Sequence, residues 1–257
     1  MSPAHPVPAD DTGTSLAPPC ALGALWVVRH GQSTANRAFA LAERSGTTAL
    51  PVSGRDRDVP LSPLGLAQAH ALGDWLAGRP PATGPDLVVC SPFTRARQTW
   101  QAMADRARRG GAAPLPVLVD ERLRDREMGV FELHPPAALR ARAPEEADRR
   151  ARLGEWWYRP PGGEALTDVA VRVGQFVSDL QRAAPSRRVL VVAHDAVVIG
   201  LHHVLAGIGA PAPDRLPPVP NASVSSWRGD GQRLHPESWG DTAHLTDLGS
   251  PDGDAPA

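Results

Sequence analysis

Leu25-Trp26-Val27-Val28-Arg29-His30-Gly31-Gln32-Ser33-Thr34-Ala35-Asn36 is the stretch on which the reading of this chain turns. Its apolar start, Leu25 to Val28, is enough for a short buried strand. The strand ends on Arg29-His30-Gly31, and Gly31 lets the backbone turn where a side chain would obstruct it. Gln32, Ser33 and Thr34 are suited to capping a helix that follows. A cation and an imidazole therefore sit at the carboxyl end of a strand, facing a helix amino terminus. Open α/β sheets bind ligands there, and free backbone N–H groups favour anions. The chemistry this suggests is phosphate binding beside a histidine nucleophile.

Working outward, the pattern predicts a helix from about Thr34 to Ala42 and an exposed loop from Ser45 to Val59. Ser62-Pro63 starts a second helix with Leu64, Ala67, Ala71, Leu72, Trp75 and Leu76 on one stripe, ending before Gly78. Asp86 to Cys90 reads as a strand, and Ser91-Pro92 as another helix start. Val117 to Val119 reads as a third strand, and Pro135 to Arg152 as a polar helical cover broken at Pro144. Trp156, Trp157 and Tyr158 form an aromatic loop expected to pack in the core. Thr167 to Ala183 is an amphipathic helix. Arg188 to Ala193 is a fourth strand ending at His194-Asp195, followed by an apolar helix from Ala196 to Leu205. Asn221 to Trp227 and Arg233 to Trp239 are weaker strands, expected as an edge pair. This alternation predicts an α/β fold: a doubly wound, mostly parallel sheet with helices on both faces.

With 257 residues, 42 % of them hydrophobic, there is enough chain for a substantial core. The formal net charge of -1 supplies no global basic field for nucleic acid or an anionic membrane. All 27 basic residues are Arg, so any phosphate site here is built from guanidinium forks rather than Lys point charges. Cys20 and Cys90 give no disulfide framework and no zinc spacing, which fits a reducing, cytoplasmic compartment. No apolar run approaches the ~20 residues of a membrane span. Met1 to Pro19 lacks the regions of a signal peptide. The expected division is a Pro/Ala-rich disordered leader over 1–22, one domain over 23–245 and a flexible tail over 246–257.

Three strand ends carry polar residues suited to one anionic site: Arg29-His30, Ser91 with Arg95, and His194. Ends of parallel strands share one edge of a sheet, so these residues can converge. The segment from Arg29 to Asn36 resembles the RHG signature of the histidine phosphatase superfamily. Leu61-Ser62-Pro63-Leu64-Gly65-Leu66-Ala67-Gln68-Ala69 resembles its LTxxGxxQA segment. Cys90 to Thr99 resembles SSPLxRAxQT, and Ala193-His194 resembles the second catalytic histidine. The resemblance implies a phosphoglycerate mutase-like fold and a phosphohistidine on His30. It further implies Arg29, Arg95 and His194 around the phosphoryl oxygens, and Ser33, Asn36 and Asp195 as substrate contacts. It implies no metal and no cofactor, and a small phosphorylated substrate as partner. A homodimer stays open.

The family's LRExxxG segment aligns with Leu123-Arg124-Asp125-Arg126-Glu127-Met128-Gly129, placing Asp125, one methylene shorter, at the general acid. Asp195 and Glu127 are the alternatives. Arg159 to Ala165 resembles a PPGGES turn with Ala165 in place of Ser, so a cap or polar contact is missing there. Asn221-Ala222-Ser223 resembles a late N-x-S strand.

Other chemistries fit less well. A cysteine phosphatase needs Arg six positions after its Cys, where Cys90 has Ala96. No G-x-S-x-G elbow occurs. His202-His203 lies in an apolar helical run where adjacent side chains diverge by about 100°. A phospho-ligand-binding pseudoenzyme and a phosphoglycerate mutase remain as alternatives. The span of about seventy positions from Asp125 to His194 resembles the phosphatase branch rather than the mutases.

Overall fold

The computed structural model describes residues 16–50 and 52–248. A six-stranded sheet forms the centre, in the order β3-β2-β4-β1-β5-β6. Its strands are β1 (Ala24–Arg29), β2 (Leu87–Cys90), β3 (Val117–Val119), β4 (Arg188–Ala193), β5 (Val224–Gly229) and β6 (Leu234–Asp241). The first four run parallel, and β5 and β6 add an antiparallel edge beside β1. The helices are α1 (Thr34–Ser45), α2 (Pro63–Ala77), α3 (Thr94–Arg109), α4 (Pro136–Arg142), α5 (Pro144–Trp157), α6 (Leu166–Ala183) and α7 (Asp195–Ala206).

Alternation along the strands divides the core in two. Leu25 and Val27 of β1, with Val189 and Val191 of β4, meet α6 and α7 through Val173, Phe176 and Val197. Trp26 and Val28, with Leu190 and Val192, meet α2 and α3 through Leu72, Leu76 and Met103. Both faces of the sheet are therefore covered by helices, as the alternation of elements predicts.

Register positions the site. Arg29 is level with Ala193, and Cys90 with Val192. The residues that follow, His30, His194 and Ser91, thus leave the sheet side by side. The backbone continues the pairing there: His30 N donates to Ala193 O at 2.9 Å and Ser91 N to Val192 O at 2.9 Å.

Several expectations are corrected. The buried face of α2 is Gly65, Gln68, Ala69, Leu72, Gly73 and Leu76, rotated from the apolar stripe. Close backbone approach selects that face. A Cβ on Gly73 would lie 2.5 Å from Arg106 Cβ, and one on Gly65 would lie 2.0 Å from Gln32 O. The helix expected from Ser91-Pro92 begins at Thr94, with no side-chain cap, because Ser91 is engaged elsewhere. Trp156 and Tyr158 are buried as expected, but Trp157 at the end of α5 is exposed.

The leader also reads differently within the described residues. Cys20 N donates to Gln232 O at 2.7 Å, Leu16 pairs with Ile208, and Cys20 and Leu22 are buried in the first core. So few apolar residues among prolines carry no periodicity, and the β5–β6 hairpin, the end of α6 and the segment before β4 hold them in place. At the other end a 3₁₀ turn runs over Ala243–Leu248. Residues 1–15 and 249–257, where the remaining leader and tail expectations fall, lie outside the described residues. Cys20 and Cys90 are both free and buried. No helix among the described residues is long and apolar enough to cross a membrane.

Candidate active site

The turn after β1 is held by polar residues of the other matched segments. Gly31 N donates to Thr99 Oγ1 at 3.0 Å, Gln32 N to Gln68 Oε1 at 2.8 Å, and Leu61 N to Gln98 Oε1 at 2.8 Å. Ser62 Oγ donates to Gln32 Oε1 at 2.8 Å. Gly31 packs on Gly65, where a Cβ would lie 2.4 Å from Gly65 O. Gln68 and Thr99 thus fasten the loop that carries the first histidine and Gln98 fastens the start of α2 beside it, assignments their spacing alone did not disclose.

His30 is buried, with Nδ1 2.7 Å from Gly31 O. Nδ1 donates to that carbonyl, which leaves Nε2 as the lone-pair nitrogen. Nε2 accepts from Arg95 Nε at 3.1 Å. Burial, with Arg95, His194 and Arg29 nearby, holds the ring well below the ordinary imidazole value of 6.5. His30 is thus neutral near pH 7, with its unprotonated Nε2 held against the Arg95 guanidinium.

Arg95 is almost wholly buried, and every donor nitrogen of its guanidinium has a partner. Beyond His30 it donates from Nη1 to Asp56 O at 2.7 Å, and from Nη2 to Asp56 Oδ2 at 2.8 Å and Asp125 Oδ2 at 2.7 Å. Burial opposes its charge, but Asp125 and Asp56 outweigh that and keep it firmly protonated. Arg29 donates from Nη1 to Val219 O at 2.6 Å and lies 3.4 Å from Asp195. Its buried Nε has no partner.

His194 is fully buried, edge-on to the Phe93 ring at an interplanar angle of 71° and 5.1 Å from the His30 ring. Its Nε2 lies 2.8 Å from Ser91 Oγ. Its Nδ1 lies 3.2 Å from Asp125 Oδ2, close but without hydrogen-bond alignment. Burial lowers its pKa, and Asp125 only partly offsets that.

Asp125 joins this group as the sequence alignment placed it. Burial alone would push its carboxyl up, but His194, Arg95 and His30 hold it well below the usual carboxylate range. Burial does not overcome these neighbours. Oδ1 accepts from Arg126 N at 2.8 Å. Behind it, buried Arg172 forks onto Glu164 and donates to Arg122 O and Asp125 O, which fixes the segment.

The other named residues take varied places. Ser33 Oγ accepts from Asn36 N at 3.0 Å and Asn36 Oδ1 accepts from Ser33 N at 3.0 Å, a reciprocal cap on α1. Asn221 Nδ2 donates to Asn36 Oδ1 and to His30 O, so the late N-x-S segment also supports the turn. Asp195, first in α7, accepts from Ala196 N at 2.8 Å and stays beside Arg29. Glu127 is turned out to Arg124. Where Ala165 stands for Ser, half of a cap persists, because Asp168 Oδ2 accepts from Ala165 N. His202 and His203 diverge onto Trp239 and Trp156, as packing residues.

Asp56 is a site residue that sequence reading missed. It lies in the expected exposed loop, on a 3₁₀ turn, Asp56–Asp58, with no periodic signal to mark it. His30, Asp125 and His194 offer ligand atoms within 4.8 Å of one another. Arg95 bonds two of the three, which biases the space toward anions rather than cations.

Comparison with known proteins agrees with this geometry. Residues 25–242 match the family model described as histidine phosphatase superfamily (branch 1). "Probable phosphoglycerate mutase GpmB" of Yersinia pestis (strain Pestoides F) is 30% identical over 230 residues, covering 86% of this chain and 94% of that protein. A mycobacterial glucosyl-3-phosphoglycerate phosphatase in complex with VO3 superposes with a TM-score of 0.67 at 28% identity, over 85% of this chain and 99% of the other. Bacillus stearothermophilus YhfR, at 24% identity and a TM-score of 0.69 over 86% of this chain and 98% of its own, shares the fold. With both histidines, two arginines and a carboxylate meeting at one sheet edge, and a family model matched from β1 to the end of β6, this chain belongs to branch 1 of the histidine phosphatase superfamily.

Proposed function

We propose that this protein hydrolyses phosphate monoesters through a phosphohistidine on His30, without a metal ion. The observation that carries this reading is the His30 ring: Nδ1 committed to Gly31 O, and Nε2 unprotonated against Arg95. That nitrogen attacks phosphorus in line. Arg29 and Arg95 neutralise the equatorial oxygens, where most of the help in phosphoryl transfer arises, and His194, a neutral ring, adds an N–H donor beside them. Ser33, Asn36 and Asp195 line the approach. A carboxyl group protonates the leaving oxygen and then, as carboxylate, takes a proton from the attacking water.

The mycobacterial phosphatase of similar structure has been solved with VO3 and with inorganic phosphate, which supports a phosphoryl site at this sheet edge. The GpmB likeness favours a second reading, phosphoglycerate mutase. The short span from Asp125 to His194 argues for hydrolysis.

Rapid quench with labelled phosphomonoester tests the assignment. Acid-labile label should appear on the protein and be absent from His30→Ala. Labelling of His30→Ala at the original rate overturns it. Phosphate release should exceed phosphoglycerate interconversion; the reverse favours the mutase.

A further inference from the structure

We propose that Asp56 and Asp125 form one proton-holding pair on Arg95, and that an anion entering beside Arg95 and His194 loads this pair with a single proton, carried by Asp56. This rests on the phosphoryl-site reading above.

The pair is a matter of geometry. Both carboxylates accept from the same nitrogen, Arg95 Nη2, at 2.8 and 2.7 Å. The Asp56 turn is tied down twice more. Arg95 Nη1 donates to Asp56 O, and Asp56 N donates to Glu132 Oε1 at 2.6 Å. Its neighbours Arg55, Arg57 and Asp58 are exposed, so Asp56 alone of this charged run is turned inward. The groups facing it are Arg95 on α3, Asp125, and His194 after β4, with the Glu132 carboxylate at its backbone.

Two negative carboxylates already share one positive guanidinium. A dianion bound to Arg95 adds more negative charge to the same low-dielectric space, which raises the affinity of both carboxylates for protons. Such pairs titrate as a unit, and the first proton goes to the less supported member. Asp125 has Arg126 N and the His194 contact besides Arg95. Among the described residues, the Asp56 carboxylate has Arg95 as its one hydrogen-bond donor. The free protein is already split this way. Burial, and then Asp125, push Asp56 up despite Arg95, whereas Asp125 is held down. Environments that push two carboxyls apart mark an acid–base pair.

The proton then has a use. As the His30 Nε2–P bond forms and the bond from phosphorus to the leaving oxygen breaks, the proton passes from Asp56 to Asp125 within the pair on Arg95 Nη2 and from Asp125 to that oxygen, which departs as an alcohol and leaves both carboxylates charged. In the second half, water attacks phosphorus, the Nε2–P bond breaks, and the water's proton returns to the pair. Asp56 supports the acid at Asp125 as a positioning residue and need not touch the substrate.

The test is calorimetric titration of the intact protein with sulfate, a dianion that does not itself titrate near neutrality, in buffers of different ionisation heat. The wild type should take up protons on binding, and its sulfate affinity should fall as pH rises, by up to about ten-fold per pH unit. Asp56→Asn, which is isosteric, should take up close to one proton fewer. Equal uptake by wild type and Asp56→Asn overturns the assignment and moves the proton to a histidine or to Asp125. No uptake by the wild type overturns the loading. Sulfate-difference infrared spectra of the wild type give a check independent of any variant: a protonated-carboxyl band should appear, and its absence refutes the proposal. Failure of the wild type to bind either sulfate or inorganic phosphate is a separate result. It overturns the anion site itself and this inference with it.

Discussion

Replacing Ser91 with Ala removes one hydroxyl from the centre of the site. Ser91 and His194 are both fully buried, and Ser91 Oγ lies 2.8 Å from His194 Nε2. Phe93 N donates to the same oxygen at 3.3 Å. With His194 Nδ1 toward Asp125 carrying the proton, Nε2 is the acceptor and Ser91 the donor. Both groups are fully buried, so without the hydroxyl Nε2 loses its partner. A buried polar group left unpaired costs about 1–3 kcal/mol. For a domain of this size, each kcal/mol lowers Tm by about 2–4 °C. The hydrogen bond also fixes the ring's tautomer, so the same energy applied to orientation corresponds to about a 5- to 150-fold loss in kcat. Thermal melting and steady-state turnover of an aryl phosphate read both effects. Ser91→Cys, a weaker donor, should fall between the two. If Ser91→Ala keeps the wild-type Tm and kcat, Ser91 does not hold His194, and the orientation argument fails.

Other outcomes follow from the same geometry. Gly65→Ala places a Cβ 2.0 Å from Gln32 O, so α2 must move off the His30 turn; the variant should melt well below wild type and lose turnover together, and a Tm within a degree of wild type would refute the close-packing account. His30 and His194 are both held neutral below their ordinary 6.5, so the unfolded chain gains protons that the folded one refuses as pH falls. Stability should therefore drop on going from about pH 7.5 to about pH 5.5, by at most ~1.4 kcal/mol per group per pH unit, with Asp125 adding to the loss only at lower pH and Asp56 opposing it; a Tm that rises over that interval contradicts the assignment. Dialysis against a strong chelator should leave turnover intact, because Arg95 occupies the cation position beside Asp125; loss of activity with restoration by a divalent ion would overturn the metal-free mechanism.

Much of the fold was legible in the chain because its signals are local. Continuous apolar runs along Leu25–Val28 and Val189–Ala193 mark strands buried on both faces, and Ser33 with Asn36 marks the start of α1. The convergence of Arg29, His30, Arg95 and His194 was legible too, because parallel strands deliver their carboxyl ends to one edge. Where the chain misled, local signals competed with tertiary demands. Ser91 reads as a cap but reaches His194, which is 103 positions away. The apolar stripe on α2 yields to a glycine face because two backbones must nearly touch.

Composition and periodicity by themselves determined the α/β class and the order of elements. Those properties follow from which residues must be buried within one turn or one strand. The charge state of Asp125, the recruitment of Asp56 and the orientation of His194 were decided only when β1, β2, β4 and the loop over 52–59 came into register around Arg95. A carboxylate's proton affinity depends on which charges and how much water lie within a few ångströms, and those neighbours come from segments far apart in the chain.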